Sequence, residues 1–143
     1  MIAKFKKVHP AAQIPVYKTS GAAGCDITCV ESIDIKPGAV GMVRTGLAIE
    51  PPVGYFLLIA PRGSLCLKMH LHMPNSVAIG DADFRGEYLI PLRNAGQQTI
   101  TIPQNERIAQ IVFLPYQQLE FLEVSYLSES ERGSGAFGST GKF

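Results

Sequence analysis

A chain of 143 residues, 46% of them hydrophobic, can build one compact domain with a real core, and nothing in its composition marks a second domain or a disordered block. The 13 basic and 12 acidic residues leave a net charge of +1, which gives no electrostatic reason to expect a duplex-tracking surface, so nucleic acid polymer is not an expected partner. No segment approaches the ~20 apolar residues of a membrane span, and Val8-His-Pro interrupts the run after Lys4, Lys6 and Lys7 before it becomes signal-like, so the expected location is cytoplasmic with no membrane partner.

Short runs rich in Val, Ile, Leu, Tyr and Phe alternate with turn residues along the whole chain. Ser32-Ile-Asp-Ile-Lys36 alternates inward and outward, and Met42–Ile49 and Gly54–Ala60 flank the turn at Pro51-Pro-Val-Gly54. Ser64–Met69 lacks both turn residues and strand alternation, which permits one helix of at most two turns. Ile79–Glu87 is expected as a shaped β-hairpin, followed by strands at Glu87–Arg93, Thr99–Ile102, Arg107–Leu114 and Leu119–Val124. The fold class that follows is all-β, sandwich or barrel-like. No fixed-period repeat suggests a propeller or solenoid.

Three cysteines, Cys25, Cys29 and Cys66, cannot all pair with one another, and read as reduced thiols buried as small apolar residues. His70 and His72 would share a face of a strand, but no third metal ligand is signalled nearby, so a packing or surface role is expected for both.

Chemistry is concentrated in three loops. Pro61-Arg-Gly-Ser-Leu65 follows an apolar strand and offers the Arg62 fork, a flexible Gly63 and the Ser64 hydroxyl, a combination suited to an oxyanion. Ile79–Glu87 carries Asp81 and Asp83 beside an aromatic ring; a carboxylate there would act as general base on water next to a polyphosphate, whose own metal supplies charge stabilisation. The stretch Arg132–Phe143 combines glycines, hydroxyls, a guanidinium and Phe137, as expected of a segment that closes over an anionic, ring-bearing ligand. It is not a phosphate-binding P-loop: Ala136 stands where the first glycine belongs and Phe143 where Ser or Thr would hold magnesium.

Five ordered motifs carry a more specific signal. Ala23-Gly-Cys-Asp-Ile27, Pro61-Arg-Gly-Ser-Leu65, Gly80-Asp-Ala-Asp-Phe-Arg-Gly-Glu87, Asn105-Glu-Arg-Ile-Ala-Gln110 and Arg132-Gly-Ser-Gly-Ala-Phe-Gly-Ser-Thr-Gly141 together resemble the homotrimeric dUTPases, over nearly the whole chain. The resemblance implies a jelly-roll protomer (residues 1–131), with 132–143 as a glycine-rich lid, in a homotrimer whose sites are shared between subunits. It implies hydrolysis of dUTP to dUMP and pyrophosphate, limiting uracil in DNA and supplying dUMP for thymidylate synthesis. Mg²⁺ would be held by the substrate phosphates, with no direct protein ligand.

By the same resemblance Asp81 is the general base, supplied by a neighbouring subunit. Arg62, Gly63, Ser64 and Gln110 meet phosphates, and Asn75 and the backbone of residues 77–81 receive uracil. Phe84 packs on the deoxyribose, and Asp26 belongs to a supporting or metal-water network. Phe137 covers the base, while Arg132, Gly138, Ser139 and Thr140 hold the outer phosphates. The chain departs from the family pattern at Phe84, usually Tyr, at Gly63, usually Ser, and at Gly80, usually a branched apolar residue that would hold the backbone before Asp81 more firmly. The other readings are a dCTP deaminase of the same fold, for which no acid/base segment is found, and a catalytically weak binding or regulatory protein.

Overall fold

A computed structural model describes residues 1–136. Eleven short strands and one helix follow in order: β1 Lys4–Lys7, β2 Cys25–Thr28, β3 Ile33–Ile35, β4 Val40–Arg44, β5 Leu47–Glu50, β6 Tyr55–Pro61, α1 Gly63–Met69, β7 Leu71–His72, β8 Ala78–Gly80, β9 Leu89–Asn94, β10 Ile100–Ile102 and β11 Arg107–Pro115. They form antiparallel sheets ordered β2-β11-β6-β8, β4-β9-β7, β1-β5 and β3-β10. This is the all-β jelly-roll expected, with a single short helix and, among the described residues, no sheet closed into a barrel.

Period-two alternation builds the core. In β2, Cys25 and Ile27 point inward while Asp26 and Thr28 face outward. Leu57 and Ile59 of β6, Ile90 and Leu92 of β9, and Ile108 and Ile111 of β11 meet them in one apolar cluster. Each such fully buried side chain contributes about 2 kcal/mol relative to exposure. Pro91 sits inside β9 because β4 is the only partner there, β7 pairing only with Arg93 and Asn94, so its missing N–H costs no ladder bond. The buried Asn94 is fully satisfied: its Nδ2 donates to the carbonyls of Ile35 and Gln98, and its Oδ1 accepts from the Gly96 N–H.

Several expectations are corrected. Met42–Ile49 is two strands rather than one, broken at Gly46, whose φ of 66° lies in the left-handed region. Ile79–Glu87 is not a hairpin: β8 pairs with β6, whereas β9 pairs with β4 and β7, so this segment crosses between sheets. Leu119–Val124 is not a strand, and Phe121 and Leu122 are almost wholly exposed. Cys25 and Cys29 are buried, and burial pushes both thiols up, but Cys66 on α1 is exposed. His70 is not in a strand with His72; it caps α1 in the left-handed conformation.

Candidate active site

One corner of the site is assembled by three neighbouring strands. Asp26 of β2 faces Gln110 of β11, which in turn faces Ala60 of β6. Residues 107 and 110 are three apart, an odd spacing that in a regular strand would put them on opposite faces. The bulge between Arg107 and Ala109 buries both Ile108 and Ala109, and so returns Arg107 to the outer face beside Asp26.

The result is an ion triad. Asp26 Oδ1 lies 3.0 Å from Arg62 Nε, and Asp26 Oδ2 accepts from Arg107 Nη1 at 3.0 Å. Arg62 Nη1 also donates to the Arg107 carbonyl at 3.3 Å. Arg62 and Asp26 are mostly buried and Arg107 half exposed, leaving two guanidiniums against one carboxylate, a net positive corner with fixed geometry. Arg62 directly precedes α1, whose first turn holds Gly63 and Ser64. Gln110 lies over Gly24, where a Cβ would come within 3.0 Å of its Oε1, so the glycine of this motif makes room for the amide.

The second group of residues occupies the turn after β8. The Phe84 N–H donates to the Asp81 carbonyl at 3.2 Å, and Arg85 Nη1 donates to the carbonyls of Ala82 and Phe84 at 2.7 and 3.0 Å, closing the turn. Asp81, Asp83 and Phe84 are exposed on it. Asp81 borders a cleft of about 700 Å³ with Phe56, Ile79, Asp83 and Tyr116, and a second of about 350 Å³ with Gly80, Phe84 and Tyr88. The Phe84 ring lies over Gly86, where a Cβ would approach it to 2.6 Å, and meets the Tyr88 ring edge-on at 5.1 Å.

Behind the turn, Glu87 ties the site to the body of the fold. It accepts from Arg44 Nε and Nη2, the latter at 2.9 Å, and from the Gly46 N–H at 2.8 Å. Burial pushes its carboxyl up, but the Arg44 and Gly46 hydrogen bonds, with the charges of Arg44 and His9, outweigh it and hold the carboxyl below the usual glutamate range. Burial, aided by the charge of Asp81, pushes the Tyr88 phenol up.

The two groups do not meet within one chain. Gly80, beside Asp81, lies opposite Leu57, whereas Arg62 follows Pro61 at the other end of β6. From Leu57 to Pro61 is roughly 13 Å of strand. Asn75 is exposed in the loop before β8, on the Arg62 side, where Ser76 shares a cleft with Arg62 and Gly63. Arg132 is exposed in a turn closed by the Gly135 N–H donating to its carbonyl. Phe137, Gly138, Ser139 and Thr140 lie outside the described residues. Sequence reasoning missed Arg107 as a partner of Asp26, although it stands in the same motif as Gln110, and it missed Tyr88, which follows the third motif directly.

The fold and site define an all-β jelly roll with a preassembled cationic corner suited to an oxyanion, and comparison with known proteins narrows this class. The dUTPase family model matches residues 11–141. The deoxyuridine 5'-triphosphate nucleotidohydrolase of Nautilia profundicola is 44% identical over 139 residues, covering 97% of this chain and 98% of that protein. The nucleotidohydrolase of the same name from Helicobacter pylori J99 is 41% identical over 138 residues, covering 96% and 95%. Among solved structures, a point variant of the Staphylococcus bacteriophage 80α dUTPase with dUpNHpp superimposes with a TM-score of 0.90 at 26% identity, covering 98% of both chains. The chain belongs to the dUTPase family.

Proposed function

We propose that this protein hydrolyses dUTP to dUMP and pyrophosphate, at sites formed between copies of the chain in a homotrimer. The observation that carries the reading is the Asp26–Arg62–Arg107 triad beside Ser64 and Gln110, a preassembled cationic corner for a polyphosphate in a chain related over nearly its full length to deoxyuridine triphosphate nucleotidohydrolases. Arg62, the Gly63 amide, Ser64 and Gln110 bind phosphate oxygens, and Asp26 holds Arg62 in position for them. Asp81 accepts the proton of a water whose oxygen attacks the α-phosphorus; the bond to the bridging oxygen breaks and its electron pair leaves on pyrophosphate. Asn75 and the backbone of residues 77–81 receive uracil, where the extra methyl of thymine and the reversed donor pattern of cytosine are rejected. Phe84 packs against the sugar, where a 2′-hydroxyl has no room.

The residues present suit magnesium carried by substrate. Both oxygens of Asp26 already bond guanidiniums, so this carboxylate would act on the ion through water rather than as a direct ligand. Bound to the triphosphate, the ion neutralises phosphate charge. The stretch from Arg132 is read as a lid of the same domain: Phe137 covers the base, and Arg132, Gly138, Ser139 and Thr140 grip the outer phosphates.

Two observations support the shared site. Asp81 and Arg62 lie at opposite ends of β6, and the segment after β11 exposes Phe121, Leu122, Tyr126 and Leu127 almost completely, which suits burial against another copy. Pyrophosphate release measured in parallel from dUTP, UTP, dCTP and dTTP with Mg²⁺ tests the function. Turnover of dUTP far above the other three is expected. Binding of dUTP without turnover would sink the enzymatic reading, and ammonia from dCTP would favour the deaminase instead.

A further inference from the structure

Among the described residues, a buried polar group without a partner lies just behind Asp81. Tyr88 is 6% exposed, and its hydroxyl has no hydrogen-bond partner among the described residues. A buried, unpartnered hydroxyl is unfavourable, so its persistence calls for a reason. Its surroundings supply one. A Cβ at position 80 would lie 2.7 Å from the Tyr88 Oη, 2.9 Å from its ring and 3.0 Å from the Leu57 Cβ. The phenol tip therefore fills the volume that any side chain at position 80 would take, and the Gly80 backbone rests on it.

The Tyr88 backbone is held on both sides. Its N–H donates to the Leu47 carbonyl at 2.9 Å, its carbonyl accepts from Thr45 Oγ1 at 2.7 Å, and the adjacent Glu87 is clamped by Arg44 and Gly46. The same ring meets the Phe84 ring in a T-shaped contact, centroids 5.1 Å apart. One side chain on this held backbone thus touches both the residue that precedes Asp81 and the ring that borders the cleft at Asp81. This packing opposes the greater backbone freedom expected of Gly80.

We propose that Gly80 and Tyr88 form a size-complementary pair in which Tyr88 is a positioning residue, setting the placement of the Asp81 carboxylate and of the Phe84 ring, and through them turnover and sugar choice. This rests on the roles given to Asp81 and Phe84 above. Because the reacting oxygen must be held within a fraction of an ångström, a small displacement of this backbone is enough to lower catalysis by an order of magnitude or more.

A double-mutant cycle tests it with Gly80→Ala, Tyr88→Phe and the double variant, each assayed for kcat and KM with dUTP and UTP and for Tm. Gly80→Ala is expected to lower kcat on the order of tenfold, with a smaller change in KM, and to reduce the preference for dUTP over UTP. Tyr88→Phe vacates the tip volume, reducing the preference a few-fold while Tm holds or rises, since an unpartnered buried hydroxyl is gone. In the double variant the alanine methyl takes the vacated space, and part of what Gly80→Ala loses returns in kcat, in preference and in Tm. The proposal is overturned if the two effects simply multiply, or if kcat per folded molecule and the dUTP preference stay unchanged in all three. The Tm cycle reads the contact itself even where the wild-type chain shows no turnover, an outcome that would refute the proposed function instead.

Discussion

The two groups of proposed site residues are built on opposite principles. At the Arg62 corner every charged group has a partner: Asp26 spans two guanidiniums, and the bulge in β11 exists where it turns Arg107 toward them. At the Asp81 turn the carboxylates of Asp81 and Asp83 make no ion pair among the described residues, and the order comes from the Phe84–Asp81 main-chain bond, from the Arg85 guanidinium donating to two carbonyls of the turn, and from packing of Phe84 on Gly86 and Tyr88. The difference follows from the proposed tasks. A grip on polyphosphate needs cations fixed in advance, because holding long side chains in place only when the ligand arrives costs conformational entropy. A general base needs an oxygen left free to take a proton, so it is positioned through its backbone rather than through a partner that would occupy that oxygen.

The sharpest way to break the comparison is to leave the turn intact and remove only its basicity. Asp81→Asn is nearly isosteric, and we expect it to lower kcat for dUTP by about 10²–10⁴-fold while dUTP binding changes little. Calorimetric titration with dUTP beside pyrophosphate release separates the two quantities. Loss of binding equal to the loss of turnover would make Asp81 a part of the grip, and normal turnover would remove it from the mechanism.

A second experiment asks whether the two groups belong to different copies of the chain. Arg62→Ala and Asp81→Asn each disable one group, so a 1:1 mixture, unfolded and refolded together, contains sites that draw an intact Arg62 from one copy and an intact Asp81 from another. Random assembly leaves roughly a quarter of the sites with both. Activity should therefore rise from near background to about that share of wild type. A mixture no more active than its components, shown to have exchanged subunits, would place both groups in a single chain.

What could be read from the sequence depended on whether its cause was local. The alternation in Ser32–Lys36 and Thr99–Ile102 and the apolar runs Gly54–Ala60 and Arg107–Leu114 emerged as β3, β10, β6 and β11, because each strand sends apolar side chains into the core. β1 was invisible: apart from Phe5, which packs on the core, Lys4–Lys7 is charged and exposed, and it is a strand because β5 pairs with it. Leu119–Val124 misled in the opposite sense, since apolar residues with strand propensity make a strand only where a partner strand exists. At the site, the oxyanion character of Arg62 and Ser64 was legible from type and spacing. Arg107's bond to Asp26 was not, since it depends on pairing across 81 residues and on a bulge. Nor was the Gly80–Tyr88 fit, because it is a matter of volumes in three dimensions.

The smallest effect expected comes from the link behind the Asp81 turn, and it carries a pH signature. Glu87 is held below its ordinary pKa by Arg44 and the Gly46 N–H, so its contribution to stability is fully present above the unfolded value of about 4.3. That contribution is lost as pH falls through the lower folded value. Arg44 is more than a third exposed, so screening by solvent limits the pair, and Glu87→Gln should cost about 1 kcal/mol at pH 7. Urea titrations of both proteins at pH 7, 5 and 3 would read the difference. It should be constant between pH 7 and 5 and shrink toward pH 3, because protonation makes the native glutamate resemble the variant. A difference that grew in acid would mean that burial, not the Arg44 and Gly46 bonds, governs Glu87. The Asp81 turn would then be anchored through Tyr88, by its packing and its main-chain bonds to Leu47 and Thr45, rather than through Glu87.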